Sequence, residues 1–181
     1  MFLNASGSGV GDAIIDANVL QSAGETSATF SVAAREILRE ILDCGTCIVL
    51  DQLLDSEWRR HCSKYSLKWL AQMVSRGQIV NIVCDSRHAG ELARVLRRLE
   101  MTKQAVAQKD YHLLEVAITL DVVVLSFEVQ CRNIYCEMIA HYEPISRIYW
   151  VSPLDTSEIV RYLRRGHSPP LSWQLSATSR L

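Results

Sequence analysis

Short apolar runs alternate along the chain with longer stretches whose apolar residues recur every three or four positions, and this alternation predicts its elements. In AIIDANVL, three apolar residues run into Asp16, which reads as a short buried strand leading into a loop. TFSVAAREILREILDCG carries Val32, Ala33, Ile37, Leu38, Ile41 and Leu42 at helical spacing. Gly45 is placed to accept the left-handed backbone that ends such a helix. TCIVLD is a second strand, ending on Asp51, and the helix after it sets Leu53, Leu54 and Trp58 on one side. SLKWLAQMVSRG predicts a helix that starts after Ser66 and stops at Gly77, and QIVNIVC is β-branched enough for a strand. SRHAGELARVLRRLE is amphipathic: Leu92, Val95, Leu96 and Leu99 stand against Arg87, Arg94, Arg97 and Arg98.

KDYHLLEVAITL predicts a helix with Leu113, Leu114, Ala117 and Ile118 inward, while DVVVLSFE is a continuous apolar run of the kind buried on both faces. Residues 129–142 predict a helix, RIYWV a last strand, and DTSEIVRYLRR a last helix capped by Asp155. Residues 1–11, rich in Gly and Ser, are expected to be a flexible lead-in. Residues 166–181, with Pro169 and Pro170, are expected to be a loose tail, which leaves one domain over 12–165. Short apolar strands joined by helices imply an α/β domain of three layers, Rossmann-like, with a short central parallel sheet and right-handed crossovers. Sites in such sheets lie at the carboxyl ends of the strands.

Composition narrows the class. The 181 residues suit one compact domain; 49% are apolar and 22% charged, the balance of a globular chain rather than a disordered one. A net charge of -1 excludes a strongly basic, histone-like binder but leaves room for a local basic groove. No secretory signal is legible, and AITLDVVVLSF, interrupted by Asp121, is too short to span a bilayer. Six cysteines without an export signal are expected to be reduced thiols, so a cytoplasmic location is expected, with no membrane partner.

Three strands end on or near an acid: Asp16, Asp51 and Glu128. Glu57 and Asp110 lie early on or just before helices that border them. In a parallel sheet several of these converge at one edge. Clustered carboxylates repel one another and are tolerated mainly where a cation neutralises them. An all-oxygen set suits Mg²⁺ or Mn²⁺, and such a site can activate water and steady the leaving oxygen of a phosphodiester. A strand-end acid can also simply cap the next helix, and Asp51, before QLLDSEW, looks most like that.

These residues carry a family resemblance. IIDANVL resembles the first motif of PIN-domain nucleases: an aspartate closing the first strand, a small residue, Asn and an aliphatic pair. Glu57 falls where that family places its second acid, KDYHLLEVAITLDVVVLSFE resembles its late block, and WVSPLD its closing strand with proline. The likeness spans residues 12–154 in the correct order, although each motif is short. It implies a PIN-like fold and a Mg²⁺- or Mn²⁺-dependent single-strand endoribonuclease similar to toxin–antitoxin ribonucleases. Asp16, Glu57, Asp110 and Glu128 would be its catalytic and metal-binding acids, with Asn18 supporting the first aspartate. It further implies an RNA substrate, an antitoxin or other inhibitory protein partner, and a homodimer. The pattern departs at Glu128, where the family usually has Asp; one more methylene moves the carboxylate by ~1 Å. A catalytically inactive PIN-like module that binds RNA or a protein, and a structure-specific DNase, are the alternatives.

Other motifs change little. Cys44-Gly-Thr-Cys47 follows a helix instead of opening one, and Cys131 and Cys136 are spaced too widely for a zinc ribbon, so these read as buried structural thiols. GSGVGD lacks the Lys-Ser/Thr of a phosphate loop and precedes its strand. His61, His88, His112 and His141 have no nucleophile at catalytic spacing, and His112 is expected at the surface. Arg87 and Arg94, with Arg161, Arg164 and Arg165, are candidate RNA-backbone contacts against a plainer reading as solvated helix faces. Trp69 and Trp150 sit on apolar stripes and are expected in the core.

Overall fold

A computed structural model describes residues 12–83, 87–166 and 168–178; the expected lead-in over residues 1–11 lies outside them. The predicted strands form one parallel sheet. They are β1 (Ala13–Ile15), β2 (Ile48–Leu50), β3 (Ile79–Asn81), β4 (Val123–Leu125) and β5 (Trp150–Val151), in the order β3-β2-β1-β4-β5. All neighbours run parallel, with Ala13 against Ile48 on one side of β1 and against Val123 on the other. β1, β2, β4 and β5 are fully buried, which is why they read as unbroken apolar runs; β3, at the edge, is half-covered to exposed. The chain builds outward from β1 to β3, then returns to start β4 on the other side of β1. The switch point therefore falls between β1 and β4.

Helices cover both faces, so the protein is a three-layer α/β/α domain. One group comprises α1 (Ala17–Ser22), α2 (Thr29–Cys44), α3 (Gln52–His61), α4 (Lys64–Ser75) and α9 (Thr156–Arg165), which pack among themselves. In the other, α5 (Ala89–Leu96) packs on α7 (Tyr111–Leu120). There too, α6 (Met101–Ala107) and α10 (Leu175–Thr178) pack on α8 (Val129–Met138). α2 ends as predicted, at Gly45 with φ 75°. α7 ends at Asp121 with φ 55°, a left-handed conformation that aspartate tolerates better than most side chains. Trp69 and Trp150 are core residues, as expected. Among the described residues, no helix is long and apolar enough to cross a membrane. Of the five described cysteines only Cys131 is fully buried; Cys44 and Cys47 are half-covered.

Several expectations are corrected. The loop expected after Asp16 is the helix α1, and α6 arises from MTKQAVA, whose apolar pattern is too short to register. α4 starts at Lys64, capped by the Ser63 hydroxyl, and Ser66 lies buried in its first turn with its hydroxyl on the Leu20 carbonyl. Val32 and Leu53 point outward, one position off their buried stripes. Asp155 precedes α9 but makes no side-chain cap bond. Over residues 168–178 the expected tail is not loose: Trp173 and Leu175 are buried, Gln174 bridges Tyr149, and the Leu175 N–H donates to the Ile148 carbonyl. Apolar burial of those two side chains, with the Trp173 indole on Glu158 at 3.0 Å, offsets the cost of ordering a proline-rich segment.

Candidate metal centre

The carboxyl edge of the sheet opens into a cleft of about 530 Å³, lined by Asp16, Asn18, Glu57, Asp110 and Glu128 among others. Four separate pieces of chain bring the acids there. Asp16 follows β1 and caps α1, Glu57 lies on α3, Asp110 precedes α7, and Glu128 precedes α8 after β4. The sequence-predicted set is therefore gathered at the switch point. Asp51 is not part of it: its carboxylate accepts from the Leu54 N–H at 2.7 Å and caps α3, as its context implies.

Asp16 is held hardest. It is 4% exposed, and its two oxygens accept from the Asn18 N–H (3.1 Å), the Asn18 side-chain amide (2.8 Å) and the Ser126 hydroxyl (2.6 Å). The Asn18 side-chain oxygen in turn accepts from the Phe127 N–H, and the Ser126 oxygen from the Glu128 N–H. β1 and β4 are thus tied together at the floor of the cleft. Asn18 supports Asp16 as expected, and Ser126 joins it as a second support that the motifs do not predict. The signal for Ser126 is a hydroxyl interrupting an apolar run two residues before a strand-end acid.

The electrostatics are those of unneutralised acids. Burial, then the charges of Asp110 and Glu128, push Asp16 up to about 7 against the hydrogen bonds from Ser126 and Asn18. Burial and the charges of Glu128 and Glu57 raise Asp110 to about 6, opposed by the adjacent Cys131 thiol and by Lys109. Beneath them the Cys131 thiol and the Tyr135 hydroxyl are held protonated, chiefly by burial, and Tyr135 donates to the Ala107 carbonyl at 2.9 Å. Glu57 is half-buried and Glu128 is exposed at the mouth.

A hard divalent cation suits this donor set: the donors are carboxylates, and the repulsion that adds to burial in raising Asp16 and Asp110 is what such a charge would remove. As the side chains stand, no three His, Cys, Asp or Glu of the described residues converge closely enough to hold a metal ion together. The fit therefore lies in charge, donor type and the shared cleft, with Glu57 and Glu128 the side chains that have room to turn inward.

His112 corrects the sequence reading. It is 4% exposed, on the buried side of α7, with Nε2 3.6 Å from the Glu57 carboxylate. α3 folds across to meet α7, which no local pattern foretells. Arg87 and Arg94 do not line the cleft, and Arg94 pairs with Glu91 one turn away on α5. Arg164 pairs with Glu40, and Arg161 and Arg165 line a separate hollow on α9. The cations that do line the cleft are Arg60 and Lys109, beside His61, Gln21 and Gln130. Sequence gives no sign of them because they do not form a run. Comparison with family models, characterised proteins and solved structures gives no match.

Proposed function

We propose that the protein is a Mg²⁺- or Mn²⁺-dependent nuclease that hydrolyses phosphodiester bonds, with single-stranded RNA as substrate, resembling the PIN-domain toxin ribonucleases. The observation that carries this reading is the meeting of four carboxylates, from four separate elements, in one cleft at the sheet's switch point. Asp16, Glu57, Asp110 and Glu128 would hold the cation, which when bound supplies Lewis acidity toward a phosphoryl oxygen and toward water. The chain's own contribution is orientation and charge. Asn18 and Ser126 fix the Asp16 carboxylate, and a buried floor excludes bulk water on one side. Arg60 and Lys109 present positive charge at the walls, where a polyanion would otherwise be repelled by the acids. An inhibitory protein partner would act most simply by occluding this cleft.

The test is cleavage of labelled RNA with Mn²⁺, with EDTA, and by Asp16→Asn. Activity is expected with Mn²⁺ and should fall by at least ~100-fold with either change, in line with the loss of an electrostatic stabiliser. Cleavage that survives both chelation and the substitution removes the proposal, and a matched DNA strand in the same assay separates RNase from DNase. A second reading, a binding module without turnover, is favoured by the exposed Glu128 and by side chains that stop short of a shared cation position. It predicts RNA or protein binding with no cleavage at any Mn²⁺ concentration.

A further inference from the structure

His112 stands in a largely apolar stretch of α7. Leu113, Leu114, Val116 and Ala117 beside it are buried hydrophobics, and Glu115 is the other buried polar side chain of the helix. An aliphatic side chain would satisfy the packing there, whereas a buried imidazole must find a partner or bear the cost of an unpaired polar atom. Nε2 is completely buried and has no hydrogen-bond partner among the described residues. What faces it is the Glu57 carboxylate at 3.6 Å, whose side chain keeps 31% of its surface exposed and so has freedom to move. An approach of about 0.5 Å brings the pair into ordinary hydrogen-bond range.

We propose that His112 is a positioning residue for Glu57, donating from Nε2 to Oε2 and thereby fixing the carboxylate of α3 against the α7 wall of the cleft. The two residues belong to the two helical layers, so the contact is also a latch across the cleft. Asp16 is oriented by Asn18 and Ser126; His112 does the same work for the acid on the facing helix. Without it, Glu57 is a half-exposed side chain on a helix surface, free to sample rotamers that point away. The consequence for cation binding rests on the nuclease reading above, but the contact itself does not.

The experiment is a double-mutant cycle with His112→Leu and Glu57→Ala, read first by denaturant unfolding of the full chain without metal. A coupling on the order of tenfold in the unfolding equilibrium constant is expected. His112→Gln, which keeps a donor at similar reach, should retain most of it. Strictly additive effects of His112→Leu and Glu57→Ala overturn the proposal. The second readout is Mn²⁺ affinity by calorimetry. His112→Leu should weaken it by about tenfold, as loss of an outer hydrogen bond to a metal ligand does, and His112→Gln should recover it. Wild-type affinity in His112→Leu would also overturn the role. If the wild-type protein takes up no Mn²⁺, the nuclease reading fails, while the unfolding cycle still decides the role of His112.

Discussion

Asp16 and Glu40, two of the buried acids in this molecule, are treated in opposite ways. Glu40, on α2, is covered by Arg164 of α9, whose guanidinium donates to both carboxylate oxygens at 2.6 and 2.9 Å. The Arg164 hydrogen bond outweighs the cost of burial and holds the Glu40 carboxyl below its usual range. Asp16 also has its hydrogen bonds filled, but by the neutral groups of Asn18 and Ser126, and its charged neighbours that matter most are acids. It is pushed up to about 7. The fold can therefore bring an arginine across 124 residues of sequence to neutralise a carboxylate, whereas among the described residues it pairs no arginine with Asp16. A buried carboxylate left without a paired cation from the chain is one that gains most from a cation taken from outside.

That contrast is broken most forcefully through Asp16 and pH. An acid whose folded pKa lies above its unfolded value binds its proton more tightly in the folded state, so stability is highest below about pH 4. It declines as pH rises toward 7, where the folded group finally ionises. Asp16→Asn removes this liability. Relative to wild type, the variant should gain stability as pH rises from 4 to 7.5, by on the order of 3 kcal/mol across that window. Urea unfolding at several pH values measures it, and a difference that stays flat with pH means Asp16 is already neutralised. The same groups predict that Mn²⁺ uptake at pH 6 releases on the order of one proton, from Asp16 and Asp110 together, and almost none at pH 8.5. Calorimetry in two buffers of different ionisation enthalpy reads that number directly.

The other arm of the contrast is smaller and of opposite sign. Glu40 is depressed, so its contribution is present above the ordinary glutamate range and lost as pH falls through the folded pKa. Arg164→Met should lower the unfolding midpoint by a few degrees at pH 7, discounted because two-thirds of the Arg164 side chain is solvated. The difference should shrink as pH falls through the folded pKa of Glu40 and vanish once Glu40 is protonated in both proteins. A loss that does not change with pH would assign Arg164 a packing role on α2 instead of a charge role.

How far the site can be read from sequence follows from the range of the interactions that make it. Asp16 and Glu128 are legible because a parallel sheet puts every strand's carboxyl end at the same edge, so locating the strands locates the acids. Asp51 is legible as a cap because capping acts over three residues. His112, Ser126, Arg60 and Lys109 take their places through the packing of α3, β4 and α7 around one cleft, and none of that is written in a local period. Trp173 and Leu175 escape the sequence reading for a related reason: a proline-rich context outweighs two apolar side chains whose binding surface is built by residues 136–149 and α9. α1 is hidden by its length, six residues following directly from a strand.

The smallest effect concerns the cations that share the cleft with the acids yet do not pair with them. The Arg60 guanidinium bonds back to the Ser56 carbonyl and hydroxyl, one turn earlier on α3. Among the described residues neither Arg60 nor Lys109 makes an ion pair, although both line the same cleft as four carboxylates. Against Arg164, which is committed to Glu40, they are uncommitted charges and are available to a phosphodiester backbone. Replacing both with Gln should weaken binding of single-stranded RNA only a few-fold at physiological salt. The sharper measure is the salt dependence: for every phosphate the protein no longer neutralises, the slope of log affinity against log salt should fall by about 0.7. Fluorescence anisotropy across a salt series, with the Asp16→Asn protein to prevent cleavage, gives that slope. A double variant with an unchanged slope would mean that RNA does not touch this wall, and that the positive charge there serves only to soften the field of the acids.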